Sequence, residues 1–391
     1  MFTITFFMIL INLLFYYSSQ PPKVPNRPDC EVYFYEAFSD HSVEKYWIPT
    51  DSKNYTGAWQ IEHTEIPQTL PNENALVAKS RNSHSAISTK FKKPITFINQ
   101  TFVLQYEMRP QFAFTCSGAY LKLFSDSNFD PKKLTNETKH ILMFGPDRCG
   151  ELNRIHFIFN YFHPKRKIYK ELILKSPPEA PVDVYNHLYT LIVRPNNTFS
   201  ILVDNEIVKN GSLFFDFDPP LLEPREIPDP DDKKPEDWNE NKSEWKQKKI
   251  LNPFYFMDVH PHNFPPFSGI GFEIWHVNRD LAFQNILIAG DEEAVLEWNK
   301  NNFLPRQKWQ LESYQEEDEA SKYHENSKND KKVKVKGVKE NLEIVSNSFK
   351  QLFEEFKYQM ISLLVGLLIL LFFMALCCRK ITQKDQKMKE S

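Results

Sequence analysis

The chain has 391 residues, a formal net charge of −3, 25% charged residues, 14% aromatic residues and five cysteines. That length holds one large domain with appendages, or two domains. The near-neutral balance makes no case for a nucleic-acid partner, and no Cys/His spacing has the form of a zinc site.

Residues 1–20 begin with the apolar run Phe2–Tyr17 and close on Ser18-Ser19-Gln20. They read as a secretory signal, although the usual Lys or Arg is missing from the start. Residues 30–218 then show short runs rich in aromatic and β-branched residues. These are Ala86–Phe91, Phe102–Met108, Ala119–Phe124, His156–Tyr161, Leu188–Val193 and Phe199–Val208, separated by Asn, Pro, Gly and Asp. Many short strands with frequent turns predict a β-sandwich. Residues 219–266 interrupt it: ten of these forty-eight residues are proline, and strand periodicity vanishes. Strands resume at Gly269–Val277 and Phe283–Ala289, so the proline-rich segment is predicted to be inserted into the sandwich, whose second part is 267–312 with a helix over Asp291–Asn302. Residues 313–358 are charged and poor in core-forming side chains, and read as a flexible tether with a short amphipathic lead.

Residues 359–378 include about nineteen uncharged positions, Met360–Cys378, long enough to cross a bilayer. Arg379 and Lys380 follow, which places the 379–391 tail in the cytosol. Cys377 and Cys378 at that edge are candidates for S-acylation or two ordinary apolar helix residues. Lys387 and Lys389, third and fifth from the end, resemble a dilysine retrieval signal. Six sequons, at Asn54, Asn99, Asn136, Asn196, Asn210 and Asn241, all precede the predicted span, as expected of a lumenal body. Cys116 and Cys149 in that body are available for one disulfide, and Cys30 is left over.

Two segments carry candidate chemistry. In Cys116–Lys122, Tyr120 and Lys122 are two apart on a strand and project from one face. Met143-Phe144-Gly145-Pro146-Asp147-Arg148-Cys149-Gly150 reads as a loop-edge segment ending in the other cysteine. An aromatic surface beside charged groups suits sugar recognition: the ring packs on the C–H face and the charges take the hydroxyls. Taken alone, these segments read better as ordinary exposed sheet residues.

Three further stretches sharpen the choice. Ile227–Trp238 has proline at three of twelve positions and ends in a tryptophan, and a second such segment runs from Trp245 to Pro253, facing the first across Asn239–Glu244. Together with Cys-x-Gly-x-Tyr-x-Lys and Met-Phe-Gly-Pro-Asp-x-Cys-Gly, and with His156–Tyr161 and His187–Pro195, this order of motifs resembles the calnexin/calreticulin family over about Val32–Asn302. The resemblance implies a mostly β, legume-lectin-like sandwich (a jelly roll) with an inserted extended proline-rich hairpin arm, a C-terminal helix and one transmembrane helix. It implies that Tyr120, Lys122, Met143 and Asp147 contact the terminal glucose of a monoglucosylated, mannose-rich glycan, with Glu273 and Trp275 supplied after the arm. His140 departs from the pattern, standing where the family has a second tyrosine, and is expected to alter affinity or pH dependence.

The resemblance also implies a calcium site at Ala37, Glu73, Asn74 and Gln284, weakened because Gln284 stands where the family has an aspartate. In the family the arm tip recruits a thioredoxin-like disulfide isomerase and a prolyl isomerase. Here Trp238, Glu240, Glu244 and Trp245 are retained, Lys242 sits among the acids, and the arm holds one copy of each repeat.

The expected function is an endoplasmic-reticulum membrane lectin chaperone, single-pass type I, which binds monoglucosylated N-glycans on new glycoproteins. The alternatives are a glycoprotein cargo receptor of the early secretory pathway and a polypeptide-only chaperone. A sandwich glycosidase is disfavoured, since Glu-x-Asp-x-x-Glu is absent and Glu273 has no carboxylate partner at retaining-enzyme spacing. A calcium store is disfavoured because Ser313–Glu343 alternates acid and lysine.

Overall fold

Alternation decides which face each strand buries. Along Phe267–His276, Ile270, Phe272 and Ile274 are fully buried in the core, while Gly271, Glu273 and Trp275 lie on the opposite face. The computed structural model describes residues 22–23, 26–64, 70, 73–235 and 245–333, with side chains described through Tyr314.

Two antiparallel sheets enclose one core. The first runs in the order Glu206–Ser212, Thr198–Val203, His187–Val193, Phe102–Pro110, Leu281–Ala289, Asn74–Ala78, Trp59–His63, with Val32–Glu36 also paired to Leu281–Ala289. The second runs Phe217–Asp218, Ile168–Leu174, Leu152–His163, Leu142–Cys149, Cys116–Gly118, Phe267–His276, Ser83–Ile95, Ile48–Pro49. Leu121–Phe124 bridges Leu142–Cys149 and Phe267–His276. Most predicted runs fall inside observed strands, but Ala119 and Tyr120 precede Leu121–Phe124 and Val277 follows Phe267–His276; Asp204-Asn205 forms the turn between Thr198–Val203 and Glu206–Ser212, both residues at positive φ. The Met143–Cys149 stretch is not a loop edge: it lies in a full strand, Leu142–Cys149, between two partners. Its Gly-Pro pair disguised it, since proline is rare inside a sheet.

Aromatic side chains fill the space between the sheets. Phe272 lies 4.1 Å from Phe283 between ring centroids, 5.8 Å from Trp59 and 6.2 Å from Tyr106. Such rings bury large areas and pack in tilted or edge-on pairs, which fixes the separation of the layers.

The chain leaves the second sheet at Phe217–Asp218 and returns to its middle at Phe267–His276. Between them Glu226–Pro228 pairs antiparallel with Lys249–Leu251, so the proline-rich segment goes out and back on itself. Its root is anchored by Glu223, which accepts from Arg166 at 2.9 and 3.0 Å and from Lys170 at 2.9 Å. The Arg166 guanidinium, beside Glu223, is the largest influence holding its carboxyl down at about 2. Asn252 ties the returning strand to Glu223 and the Pro224 carbonyl. The tip residues Trp238, Glu240, Asn241 and Glu244 lie outside the described residues, and Trp245 is half-buried.

The chain divides into two compact units, Met1–Gln315 and Glu316–Ser391. Helix α1 runs Glu292–Val333. Asp291 Oδ1 accepts from the Ala294 amide at 3.0 Å, capping its start. Arg194 holds Glu292 in a two-bond pair at 2.7 and 2.6 Å. The helix continues past Asn302 and Ser313 to Val333, into the stretch expected to be a flexible tether. Glu, Lys, Gln and Ala are strong helix formers, and helical conformation there needs no apolar face. In the second unit the described residues are those of this helix up to Val333. Among the described residues no helix is long and apolar enough to cross a membrane. The predicted signal 1–20, span 359–378 and tail 379–391, with Cys377, Cys378, Lys387 and Lys389, lie outside the described residues.

Phe272→Ala is expected to lower the unfolding free energy by about 3–5 kcal/mol, since the surrounding rings cannot all close on the void. Chemical denaturation measures it; a loss under about 1 kcal/mol would show that this ring is not central to the core.

Candidate functional site

The seven residues expected to read sugar come together on the second sheet. Lys122 on Leu121–Phe124 stands opposite Met143 on one side and Gly271 on the other. Asp147 stands opposite Gly118, and Glu273 and Trp275 are two apart on Phe267–His276. His140 lies just before Leu142–Cys149, and Tyr120 just before Leu121–Phe124. The Cys116–Cys149 disulfide is formed, joining directly opposed residues of two of these strands, and Cys30 is free. Closing its 33-residue separation would restrict the unfolded chain by an amount worth about 3–4 kcal/mol.

Gly145 lets the strand pass close to the core. Its φ is +132°, and a Cβ there would fall 1.8 Å from the Tyr106 hydroxyl. That hydroxyl donates to the Ala119 carbonyl at 2.6 Å, so Tyr106 pins both site strands from beneath.

At the floor, Lys122 Nζ donates to Glu273 Oε2 at 2.6 Å, with Lys122 only 7% and Glu273 only 5% exposed. Two charges held this deep must be paired, because an isolated one would bear the full desolvation penalty. One of the three N–H donors of the lysine is used here, leaving capacity for a ligand. Tyr55 donates to Glu273 Oε1 at 2.8 Å and accepts from the Asn136 amide at 2.7 Å. Burial, then the Glu273 bond, raises the phenol above its ordinary range, which keeps it a donor.

The walls are aromatic. Trp275 is 41% exposed and packs on His84 at 4.7 Å between centroids. Tyr120 meets His156 edge-on at 5.8 Å, and Lys122 Nζ lies 5.7 Å from the Tyr120 ring. Asp147 Oδ2 lies 3.0 Å from His156 Nε2.

His140 is the unusual member. Its Nε2 is buried and has no hydrogen-bond partner within the protein. Burial first, then the Lys122 charge, pushes its pKa down to about 4, with Glu273 opposing. The imidazole is therefore neutral near pH 7. A buried polar atom is normally satisfied, so an unbonded one beside a charged pair marks a place where a ligand hydroxyl fits. A cavity of about 930 Å³ opens alongside, lined by His140 together with Asn136, Thr138, Asn160, Tyr169 and Glu171 among others.

Tyr55, His84 and His156 were not expected from sequence. Tyr55 sits in a loop inside the Asn54 sequon, with no periodicity to mark it. His156 lay in a stretch noted as a strand and for its family likeness, with no role given to its side chain. Of the sequons, Asn54, Asn99, Asn136, Asn196 and Asn210 are exposed, and Asn241 lies outside the described residues.

The four positions expected to hold calcium do not fit that ion. The Glu73 carbonyl lies 2.9 Å from His63 Nδ1, and Asn74 Nδ2 donates to the Ser39 carbonyl at 2.9 Å. The Gln284 amide nitrogen faces two carboxylates, Glu73 at 3.2 Å and Glu107 at 2.9 Å. Calcium needs six to eight oxygens. These groups are already engaged with protein partners, and Ala37 would add only a carbonyl. Among the described residues no group of three or more His, Cys, Asp or Glu could hold a metal ion.

The Calreticulin family matches residues 34–243 and 239–288. The chain is 42% identical over 203 residues to a calnexin homolog of Aspergillus fumigatus, covering 49% of this chain and 36% of that relative. It is 29% identical to Homo sapiens calmegin over 392 residues, covering 71% and 64%. It superposes on the T. cruzi calreticulin globular domain with a TM-score of 0.61 at 27% identity, over 74% of this chain and 99% of that one. The chain spans less than two thirds of the length of the curated relatives it matches. The family is one of lectin chaperones, not enzymes, and binds calcium generally. Motif order, sheet topology and the span of the match together make this chain a member of the calreticulin family.

Proposed function

We propose that this protein is a lectin chaperone of the endoplasmic-reticulum membrane that holds newly made glycoproteins by the terminal glucose of a monoglucosylated, mannose-rich N-glycan. The observation that carries this reading is the buried Lys122–Glu273 pair beside the unbonded His140 Nε2, walled by Tyr120 and Trp275. Sugar hydroxyls both donate and accept. Lys122 supplies donors, Glu273 and the Asp147 carboxylate supply acceptors, and a neutral imidazole can serve in either sense. The exposed Trp275 face suits the C–H side of a pyranose, while Met143 lends apolar contact on the neighbouring strand. The cavity beside His140 has room for further sugar units toward the mannose arm.

No bond is made or broken in this function. Glu273 is committed to Lys122 and Tyr55, which supports binding over glycosidase chemistry. The bound glycan would tether the client while the arm covers it. Trp238, Glu240, Glu244 and Trp245 at the arm tip are the proposed dock for a thioredoxin-like disulfide isomerase or a prolyl isomerase. The 359–378 span would hold the body on the lumenal side, and Lys387 with Lys389 would return the protein to the endoplasmic reticulum.

A glycan array with the full chain in detergent tests the reading. Monoglucosylated mannose-rich glycan is expected to bind at least about tenfold more tightly than its unglucosylated form, the worth of one or two well-placed hydroxyl contacts. Trp275→Ala is expected to weaken binding about tenfold while leaving the melting temperature nearly unchanged, because that ring is partly in solvent. Lys122→Ala is expected to abolish binding and also to destabilise by about 3–5 kcal/mol, since Glu273 would be left buried and unpaired. Equal affinity for all glycans would contradict the lectin reading; binding of unfolded chains regardless of glycan would then favour a polypeptide-only chaperone.

The His140 shift fixes the sign of the pH dependence. Its folded value, about 4, lies below the unfolded value, so the neutral ring contributes stability that is present above about pH 6.5 and lost as pH falls toward 4. Glycan affinity carried by its Nε2 is expected to be flat from about pH 8 to 6. A drop of tenfold over that range, measured by calorimetric titration, would show an imidazole that titrates within it.

A further inference from the structure

The first sheet and helix α1 share a sealed charge cluster that the sugar site does not use. Glu73 and Glu107 are buried there, Glu107 completely, and Arg306 projects from α1 between them with 4% of its surface exposed. Arg306 Nη1 donates to Glu73 Oε1 at 2.7 Å and to Glu107 Oε2 at 3.1 Å, and its Nη2 donates to Glu107 Oε1. Its Nε donates to the Asn302 carbonyl at 3.2 Å, within its own helix. Glu107 is completed by Asn186 Nδ2, by Gln284 Nε2 at 2.9 Å and by Asn285 Nδ2 at 3.0 Å.

We infer that the Arg306 guanidinium is an internal cation doing the work that a bound calcium ion would do between sheet and helix, so that the fold of this chain is calcium-independent. Three observations carry this. Glu73 and Gln284, two of the four positions expected to ligate calcium, are turned into this cluster instead. The two carboxylates are matched: Glu73 and Glu107 pair with Arg306, and the buried Arg109 guanidinium also feels both. The space left beside Glu73 and Arg306 is about 10 Å³, too small for a hydrated ion. A planar guanidinium suits the role because its fixed fork of donors can bind one carboxylate through two bonds and reach a second. Unlike an ion, it cannot dissociate when lumenal calcium falls.

The inference is independent of the lectin reading and is tested without glycan. The melting temperature of the full chain in detergent is followed with about 1 mM calcium or with chelator, the range in which weak modules are occupied. The two curves are expected to agree within about 1 °C, and isothermal titration with calcium chloride is expected to show no site tighter than about 1 mM. Arg306→Ala is expected to lower the melting temperature by roughly 6 °C or more, by leaving two buried carboxylates short of a cation, and part of that loss is expected to return with calcium. A wild-type shift of several degrees with calcium, or an unchanged melting temperature in Arg306→Ala, would overturn the inference. If the variant does not fold, the wild-type comparison and titration decide alone.

Discussion

Lys122 and Glu273 are 151 residues apart, and their buried pair forms only if the chain leaves the second sheet after Asp218 and re-enters its middle at Phe267–His276 in register. Gly271 stands opposite Lys122, which sets Glu273 at its reach, two residues further along. A one-residue slip would send Glu273 into the aromatic core and Phe272 to the ligand face. The pair, the core and the return of the chain to the middle of the sheet are therefore one constraint. Phe272 against Phe283 fixes the register, the register fixes the pair, and Tyr55 with Asn136 then closes the floor from a loop.

The molecule holds two buried charge clusters of opposite design. The Lys122–Glu273 cluster borders an imidazole with an unbonded nitrogen, and that histidine also lines an open cavity of about 930 Å³. The Glu73–Glu107–Arg306 cluster has its carboxylates surrounded by amide and guanidinium donors and faces almost no empty space. An open cluster can exchange its remaining capacity with a ligand; a closed one can only hold elements together. Removing a member of either leaves a buried charge unmatched, so variants at both should lose stability. Only changes at the open cluster should alter binding beyond that.

Much of the architecture was legible as alternation. Gly269–Val277 and Leu188–Val193 announced themselves by composition, and the motif order around Cys116 and Cys149 located the site strands. What escaped had physical reasons. Leu142–Cys149 hid behind Gly145 and Pro146, residues that usually end strands. Tyr55 belongs to a loop whose contact with Glu273 crosses 218 residues, a distance no local pattern records. The continuation of α1 to Val333 was masked by charge, because a helix without an apolar stripe looks like a tether. Nothing in the sequence singles out Arg306, and only the fold shows it buried between two carboxylates. Of the two effects expected of His140, altered affinity or pH dependence, burial first and then the Lys122 charge push its pKa down to about 4, which favours the first.

Calorimetric titration of the full chain with a glucosyl-mannose disaccharide, compared with the same disaccharide lacking one glucose hydroxyl, most directly tests whether the open cluster reads sugar. The disaccharide should bind, and the deoxy analogue should bind about tenfold more weakly, because a buried donor or acceptor would be left unmatched. Equal heats and affinities for the two, or no binding by either at millimolar concentration, would contradict the assignment of Lys122, Glu273 and His140 to a glucose-binding site.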